Sequence, residues 1–330
     1  YIHYYGYIIP SIYVNWLQIN GAIIGNAYNV SEWDTEAQET LESLFPGYDV
    51  ILLFTPEVNL SGGGTHCITN DQPSFTLISS LELDHSAGWN MIGLPLEVED
   101  ASYNILFPES IGGTLYSYDG AYVPESYLTS GEGYWLRFNN AGSTTITGTT
   151  INELTISLRE VWNLISGIPE AVSIYTVFDP DEIIVAGTLY GYDGAYLPNE
   201  ELMAGKGYWL RAYEAGEITL TIGASEKAAP RDFSLNGKAN SLTINGLDLY
   251  FGVKMSADDK PSYSLPPKPP SGAFDVRFSG DTRIMMDKAE IEVMSPYETI
   301  TINYDVVLDA GEHMNWVLSS KSGKEYTLEG

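Results

Sequence analysis

Thr114-Leu-Tyr-Ser-Tyr-Asp-Gly-Ala-Tyr-Val-Pro-Glu-Ser-Tyr-Leu-Thr-Ser-Gly-Glu-Gly-Tyr-Trp-Leu-Arg137 returns further along the chain as Thr188-Leu-Tyr-Gly-Tyr-Asp-Gly-Ala-Tyr-Leu-Pro-Asn-Glu-Glu-Leu-Met-Ala-Gly-Lys-Gly-Tyr-Trp-Leu-Arg211, with sixteen of 24 positions identical. Agreement of that density marks an internal duplication, each copy being one supersecondary unit. Short runs of Tyr, Trp and aliphatic residues alternate with turn signals, Asp119-Gly120 and Asp193-Gly194 among them, which is a hairpin pattern. Upstream, Gly88-Trp-Asn-Met-Ile92 pairs with Val161-Trp-Asn-Leu-Ile165, extending the repeat to about 73 residues. Residues 79–150 and 151–223 are therefore expected to be two all-β modules in tandem.

The repeated rings have two readings. They could form an aromatic platform for a glycan or cell-surface contact, or pack across strands around each hairpin; packing is the commoner use of such rings. Asp179-Pro-Asp-Glu182 offers oxygen ligands to calcium but lacks the glycine and spacing of a known loop, so it reads as an acidic turn.

Downstream, Ala224-Ser-Glu-Lys-Ala-Ala-Pro-Arg231 has the composition of a linker. Alternating segments follow at Ser241–Asn245, Asp248–Val253, Ala273–Phe278, Glu290–Val293, Thr299–Leu308 and Met314–Leu318. The proline run Leu265-Pro-Pro-Lys-Pro-Pro270 between them cannot enter a sheet interior. Residues 224–330 are expected to form a linker and a β-sandwich-like domain.

Upstream of the repeats, residues 1–78 mix strand and helix. Ile12–Ile19 and Ala22–Gly25 read as strands joined at Asn20-Gly21. A helix is expected over Glu32–Phe45, with Ser31 as N-cap and Pro46-Gly47 as its stop. Trp33, Ala37, Leu41, Leu44 and Phe45 give that helix an apolar stripe. Asp49–Phe54 reads as a buried strand, and a short strand is expected over His66–Thr69 after the loop Ser61-Gly-Gly-Gly64. The order is β-β-α-β.

Charge is uneven. The net value is −29, residues 1–136 contain no Lys or Arg, and eleven of the 15 basic residues follow residue 223. Phosphate recognition needs clustered cations, so nucleic acid is excluded as a partner. The acidic balance suits a cationic ligand or plain solubility. No apolar run approaches the roughly 18–20 residues of a membrane-spanning helix. A single cysteine, Cys67, cannot form an internal disulfide. Tyr1 at one end and Glu329-Gly330 at the other, within strand-like sequence, read as cut ends of a longer chain.

A lone cysteine is most often a small buried hydrophobe. Cys67 differs because it follows a triple-glycine loop and His66, where glycines admit close approach. Leu60-Ser-Gly-Gly-Gly-Thr-His-Cys-Ile-Thr-Asn-Asp-Gln-Pro73 resembles the nucleophile motif of the agmatine deiminase family, which includes the bacterial peptidylarginine deiminases. Ser11-Ile-Tyr-Val-Asn-Trp-Leu-Gln-Ile-Asn-Gly-Ala-Ile-Ile24 is similar to that family's penultimate-strand region. Glu36-Ala-Gln-Glu-Thr-Leu41, with Leu44-Phe-Pro-Gly-Tyr-Asp-Val50 behind it, is similar to the helix and strand that follow. The resemblance covers residues 1 to about 75.

The resemblance implies a fold and a chemistry. The fold would be a pentein-type five-bladed α/β propeller, of which residues 1–78 supply one β-β-α-β unit. Cys67 would be the nucleophile, Asn15 an active-site asparagine, and Gly62, Gly63 and Gly64 the substrate-side loop. No cofactor or metal is implied. The general acid/base histidine and the guanidinium-binding carboxylates would belong to other blades. His3 does not fit the histidine motif. His66 is read as structural ahead of a catalytic alternative, since neighbours in a strand face opposite ways. The substrate would be a small cationic guanidino compound or peptidyl-arginine; Asn70-Asp71 departs from the Gln-rich form of agmatine-specific members. The repeats resemble those of large bacterial surface proteins. Ser262–Phe278 is similar to the β-domain preceding the sorting signal of Bacteroidetes-type exported proteins, implying an extracellular or cell-surface location. The whole reads as a multidomain, secreted deiminase whose residues 1–330 alone are inactive. The alternative is a surface adhesion or carbohydrate-binding protein with a degenerate deiminase segment.

Overall fold

A computed structural model describes residues 2–9, 13–19, 21–61, 63, 65–68, 78–224, 233–235, 237–307 and 316–329. It is mainly β, and divides into two compact units, Tyr1–Phe75 and Thr76–Gly330.

The first unit opens with a hairpin, β1 (Ile2–Tyr4) and β2 (Tyr7–Ile9), turned through Tyr5 and Gly6 at positive φ. Strands β3 (Leu17–Ile19), β4 (Ala22–Ala27) and β5 (Asp49–Phe54) form a sheet in that order. β3 runs antiparallel to β4, and β5 runs parallel to it through helix α1 (Ser31–Leu44). The β-β-α-β order expected from sequence is present. A short helix α2 (Pro56–Leu60), opened by its proline, leads to a 3₁₀ turn at Thr65–Ile68.

Four local expectations are corrected. The first strand covers Leu17–Ile19 only; Tyr13 and Val14 lie in a turn, and Ile12 is outside the described residues. Ser31 is not the N-cap: it begins the helix after Val30, and Asp34 accepts the main-chain N–H groups of Tyr28 and Val30 at 2.9 and 3.1 Å. That reach back from the first turn satisfies the main-chain donors of the N-cap and of the segment leading into the helix. Of the apolar stripe only Leu41 is buried, while Trp33 and Leu44 are exposed and Phe45 stacks edge-on against Trp16. β5 is not buried either: Ile51, Leu53 and Phe54 are 42–44% exposed, because β5 pairs with β4 on one side and α1 covers one face.

In the second unit each repeat builds the same four-stranded sheet. In the first copy its order is Tyr122–Pro124, Tyr116–Tyr118, Gly133–Phe138, Gly88–Gly93; in the second it is Tyr196–Pro198, Tyr190–Tyr192, Gly207–Ala212, Val161–Ser166. Register is equivalent: Trp135 lies opposite Met91, and Trp209 opposite Leu164. In each copy the shared Asn staples the turn before it. Asn90 bonds both main-chain groups of Ser86, and Asn163 those of Arg159, at 2.8–2.9 Å.

The two copies pack against each other with two-fold logic. Ile92 bridges Lys206 while Ile165 bridges Glu132, and these are equivalent positions exchanged between copies. The amide of Gly93 donates to Gly205 at 3.1 Å, and that of Ser166 to Gly131 at 3.0 Å. Tyr118 meets Trp209 at 4.8 Å between ring centres, and Trp135 meets Tyr192 at 4.7 Å. Reciprocity of this sort defines an isologous interface, here closed within one chain. It explains the Gly-x-Gly before each Tyr-Trp: a Cβ on Gly133 would stand 2.5 Å from the Ile165 carbonyl oxygen, and one on Gly207 2.8 Å from that of Ile92. Trp135 and Trp209 are fully buried in this contact, so the motif's tryptophans face inward.

The strands after the repeats form a four-stranded sheet, Ile284–Met285, Leu247–Phe251, Asn240–Ile244, Ile302–Asp305, and two ladders, Asp275–Phe278 with Ile291–Met294 and Trp316–Ser319 with Glu325–Leu328. Leu242, Phe251, Phe274, Val276 and Phe278 form their core. Asp179 accepts the amides of Ile183 and Ile184 at 3.0 and 2.9 Å, which closes an acidic turn.

Candidate active site

β4 is the central strand of its sheet, and it carries a polar residue where its neighbours are apolar. Asn26 is fully buried. A buried amide left without partners costs about 1–3 kcal/mol, so its bonds fix whatever they reach. The Asn26 Oδ1 accepts the Thr65 amide at 3.0 Å and the Thr65 hydroxyl at 2.6 Å. Its Nδ2 donates to the Asn15 carbonyl at 3.3 Å. One side chain thus ties both segments of the site to the sheet.

Asn15 completes the arrangement. Its Nδ2 donates to Cys67 Sγ at 3.1 Å, and its Oδ1 accepts the His66 amide at 2.9 Å. An N–H aimed at sulfur orients the thiol and is the kind of donor that stabilises a thiolate. The segment bearing Asn15 is itself anchored: the Tyr13 hydroxyl donates to Asp34 at 2.8 Å, and its ring packs edge-on against Tyr28 at 5.0 Å. Burial, then the bond to Asp34, pushes the Tyr13 hydroxyl upward, so it stays a donor at neutral pH. Tyr28 in turn donates to Asn59 of α2 at 3.2 Å.

Cys67 is exposed. Gly63 lies against it: a Cβ there would stand 3.3 Å from the Cys67 Cβ and 3.6 Å from Val58 Cγ1. The Gly63 amide donates to Val58 at 3.1 Å, closing the end of α2. Gly62 and Gly64 lie outside the described residues. The strand expected over His66–Thr69 is corrected to the 3₁₀ turn, with Thr69 outside the described residues. Both sides of β4 are already paired, by β3 and β5, so the segment meets it through Thr65 rather than as a further strand. The strand alternation that set His66 apart from Cys67 does not apply in such a turn, where successive side chains are about 120° apart. His66 is exposed, and its amide belongs to the Asn15 network.

The structure therefore brings together Asn15, Gly63, His66 and Cys67. Sequence reasoning missed Asn26 and Thr65. The signal for Asn26 was a lone amide inside Ala22-Ile-Ile-Gly-Asn-Ala27, a run that otherwise reads as buried. Among the described residues no group of three or more His, Cys, Asp or Glu could hold a metal ion.

Residues 3–73 match the family model of the Porphyromonas-type peptidyl-arginine deiminases. They form a segment similar to deiminases. It is 44% identical over 62 residues to the agmatine deiminase of Stutzerimonas stutzeri, and 40% over 67 residues to that of Medicago truncatula. A third relative, the agmatine deiminase of Pseudomonas aeruginosa, is 40% identical over 62 residues. The matching segment covers 19–20% of this chain and 17–18% of the first two relatives, so the chain spans less than a fifth of the relatives' length. No solved structure matches the chain at a significant level.

Proposed function

We propose that the deiminase segment supplies the nucleophile of a guanidine-hydrolysing enzyme. The observation that carries this reading is the Asn15 Nδ2 to Cys67 Sγ bond of 3.1 Å, within a segment similar to deiminases. In the reaction the Cys67 thiolate attacks the guanidinium carbon and forms a C–S bond. The tetrahedral adduct expels ammonia, protonated by a general acid, and leaves a thiouronium on sulfur. Water then adds to the same carbon, and cleavage of the C–S bond releases a ureido product and regenerates the thiolate. Asn15 orients the sulfur, and Gly63 leaves room beside it.

The reaction also needs a general acid/base and carboxylates to grip the cation. Residues 1–75 contain two histidines, His3 and His66. In this reading the general acid/base and the carboxylates come from further blades of a five-bladed propeller. Exposed Ile51 and Leu53, on one face of β5, suit packing by such a neighbour. Residues 1–330 alone are then inactive. The substrate is a guanidino compound: agmatine, free arginine or peptidyl-arginine. Resemblance of Ser262–Phe278 supports an exported protein, which fractionation of expressing cells tests.

Ammonia release from agmatine, arginine and an arginyl peptide by the intact protein is the direct test. Activity is expected with one of these and is abolished by Cys67→Ala. Undiminished release by Cys67→Ala removes Cys67 from the chemistry, and release by residues 1–330 overturns the need for further blades.

A further inference from the structure

The run Leu265-Pro-Pro-Lys-Pro-Pro270 lies over the two repeats and is largely buried. Its prolines have no N–H, so the run cannot satisfy its carbonyls with amides of its own prolines. Burial of such a strap therefore requires donors from elsewhere. The structure supplies them along the strap: Arg277 Nη1 to the Pro266 carbonyl at 2.8 Å, the Tyr196 hydroxyl to Pro267 at 2.8 Å, the Tyr122 hydroxyl to Lys268 at 2.8 Å, and Trp89 Nε1 to Ser271 at 3.1 Å.

The origin of these donors is informative. Tyr122 and Tyr196 are equivalent residues of the two copies, each the second Tyr of Tyr-Asp-Gly-Ala-Tyr, and they reach carbonyls of adjacent residues. Neither copy alone presents both. Leu265 packs into the aromatic cluster formed by both copies. Burial pushes both hydroxyls upward, keeping them protonated donors. On the far side Arg277 is fully buried and held by both oxygens of Asp275 at 2.7 Å, which fixes its direction toward the strap.

We propose that the paired repeats form a receptor for proline-rich segments, and that Leu265–Pro270 is its occupant in cis. The ligand class follows from the seat: an aromatic cluster that takes Leu265, and phenol donors aimed at two successive carbonyls with an indole donor three residues on, which are the elements by which aromatic grooves recognise proline-rich segments. The duplication then has a purpose beyond size, because the seat exists only where the two copies meet. This inference does not depend on the chemistry of Cys67.

The test uses the full chain carrying Pro266→Ser, Pro267→Ser, Pro269→Ser and Pro270→Ser, and a labelled synthetic peptide of residues 262–274. Saturable binding is expected, at least tenfold tighter than to the unaltered chain, whose seat is filled. Adding Tyr122→Phe and Tyr196→Phe weakens it at least tenfold. A variant with native near-ultraviolet dichroism that does not bind, or that binds a peptide with serines for its four prolines equally well, overturns the proposal. Should that variant fail to fold, Tyr122→Phe with Tyr196→Phe in the otherwise unaltered chain decides. Amide exchange over 271–274 should rise at least tenfold with exchange over Asn240–Ile244 unchanged; unaltered exchange over 271–274 overturns the proposal.

Discussion

In the paired repeats Trp135, Leu136, Trp209 and Leu210 are wholly buried, whereas in the β-β-α-β unit Ile51, Leu53 and Phe54 are 42–44% exposed and Trp33 is 39% exposed. Both regions are built from short strands and apolar residues, so composition does not separate them. The difference lies in what covers each sheet. Each repeat sheet has its own duplicate as cover, and the interface closes with exchanged, equivalent contacts. The Cys67 sheet has α1 on one face, with Leu41 the helix residue that is buried. A sheet can be well formed in hydrogen bonding and still hold few residues out of water. Cys67 thus sits on the less self-sufficient region, and the repeats are the more completely packed.

The largest expected effect breaks this contrast at a ring. Trp209→Ala should cost about 3–5 kcal/mol, while Trp33→Ala, exposed on α1, should stay within about 1 kcal/mol. Urea unfolding followed by dichroism compares them, and equal shifts would remove the distinction. Next, Gly133→Ala places a methyl 2.5 Å from a main-chain oxygen of the other copy, whereas Gly112 has nothing within 4 Å. The first should destabilise by roughly 1–3 kcal/mol and the second hardly at all, read as a change in thermal midpoint.

Within the weaker region, Asn26→Ala leaves the Thr65 amide and hydroxyl without their acceptor, a loss of about 1–3 kcal/mol confined to the site. The rate at which iodoacetamide alkylates Cys67 should change severalfold; an unchanged rate would show that Asn26 does not position the thiol. The smallest effect compares the copies themselves. Val161 holds φ of 74° where the first copy has Gly88 at 90°. A β-branched residue is strained there, so Val161→Gly should stabilise by about 1 kcal/mol, whereas Gly88→Val should destabilise by at least as much. Opposite signs of the two urea midpoints are the readout.

Much of the organisation was legible because it is written locally. The β-β-α-β order follows from periodicity and turn residues, and the duplication from identity between copies. Family resemblance singled out Asn15 and Cys67, which the structure joins by a hydrogen bond. What was not legible depends on contacts distant in sequence. The 3₁₀ turn at Thr65–Ile68 is held by Asn26, thirty-nine positions away, and no local propensity reports that. Ser31 has the chemistry of an N-cap, yet Asp34 serves the start of the helix, because its carboxylate can satisfy two amides and the Tyr13 hydroxyl together. The exclusion of the proline run from a sheet interior followed from its missing donors, but its seat on Tyr122 and Tyr196 needed both copies in place.

The reciprocal packing of the repeats has a consequence for how this protein can vary. In a dimer of identical chains every substitution at the two-fold contact appears twice, so a change that suits one side must suit its mirror image. Here both sides are written separately in one chain, and each can change alone. Glu132 and Lys206 occupy equivalent bridging positions with opposite charge, and Gly88 and Val161 equivalent turns with different strain. Lys206 also reaches across to the Asp84 carbonyl at 2.7 Å. The fused pair therefore keeps the closure of a symmetric assembly while its two halves are at liberty to specialise.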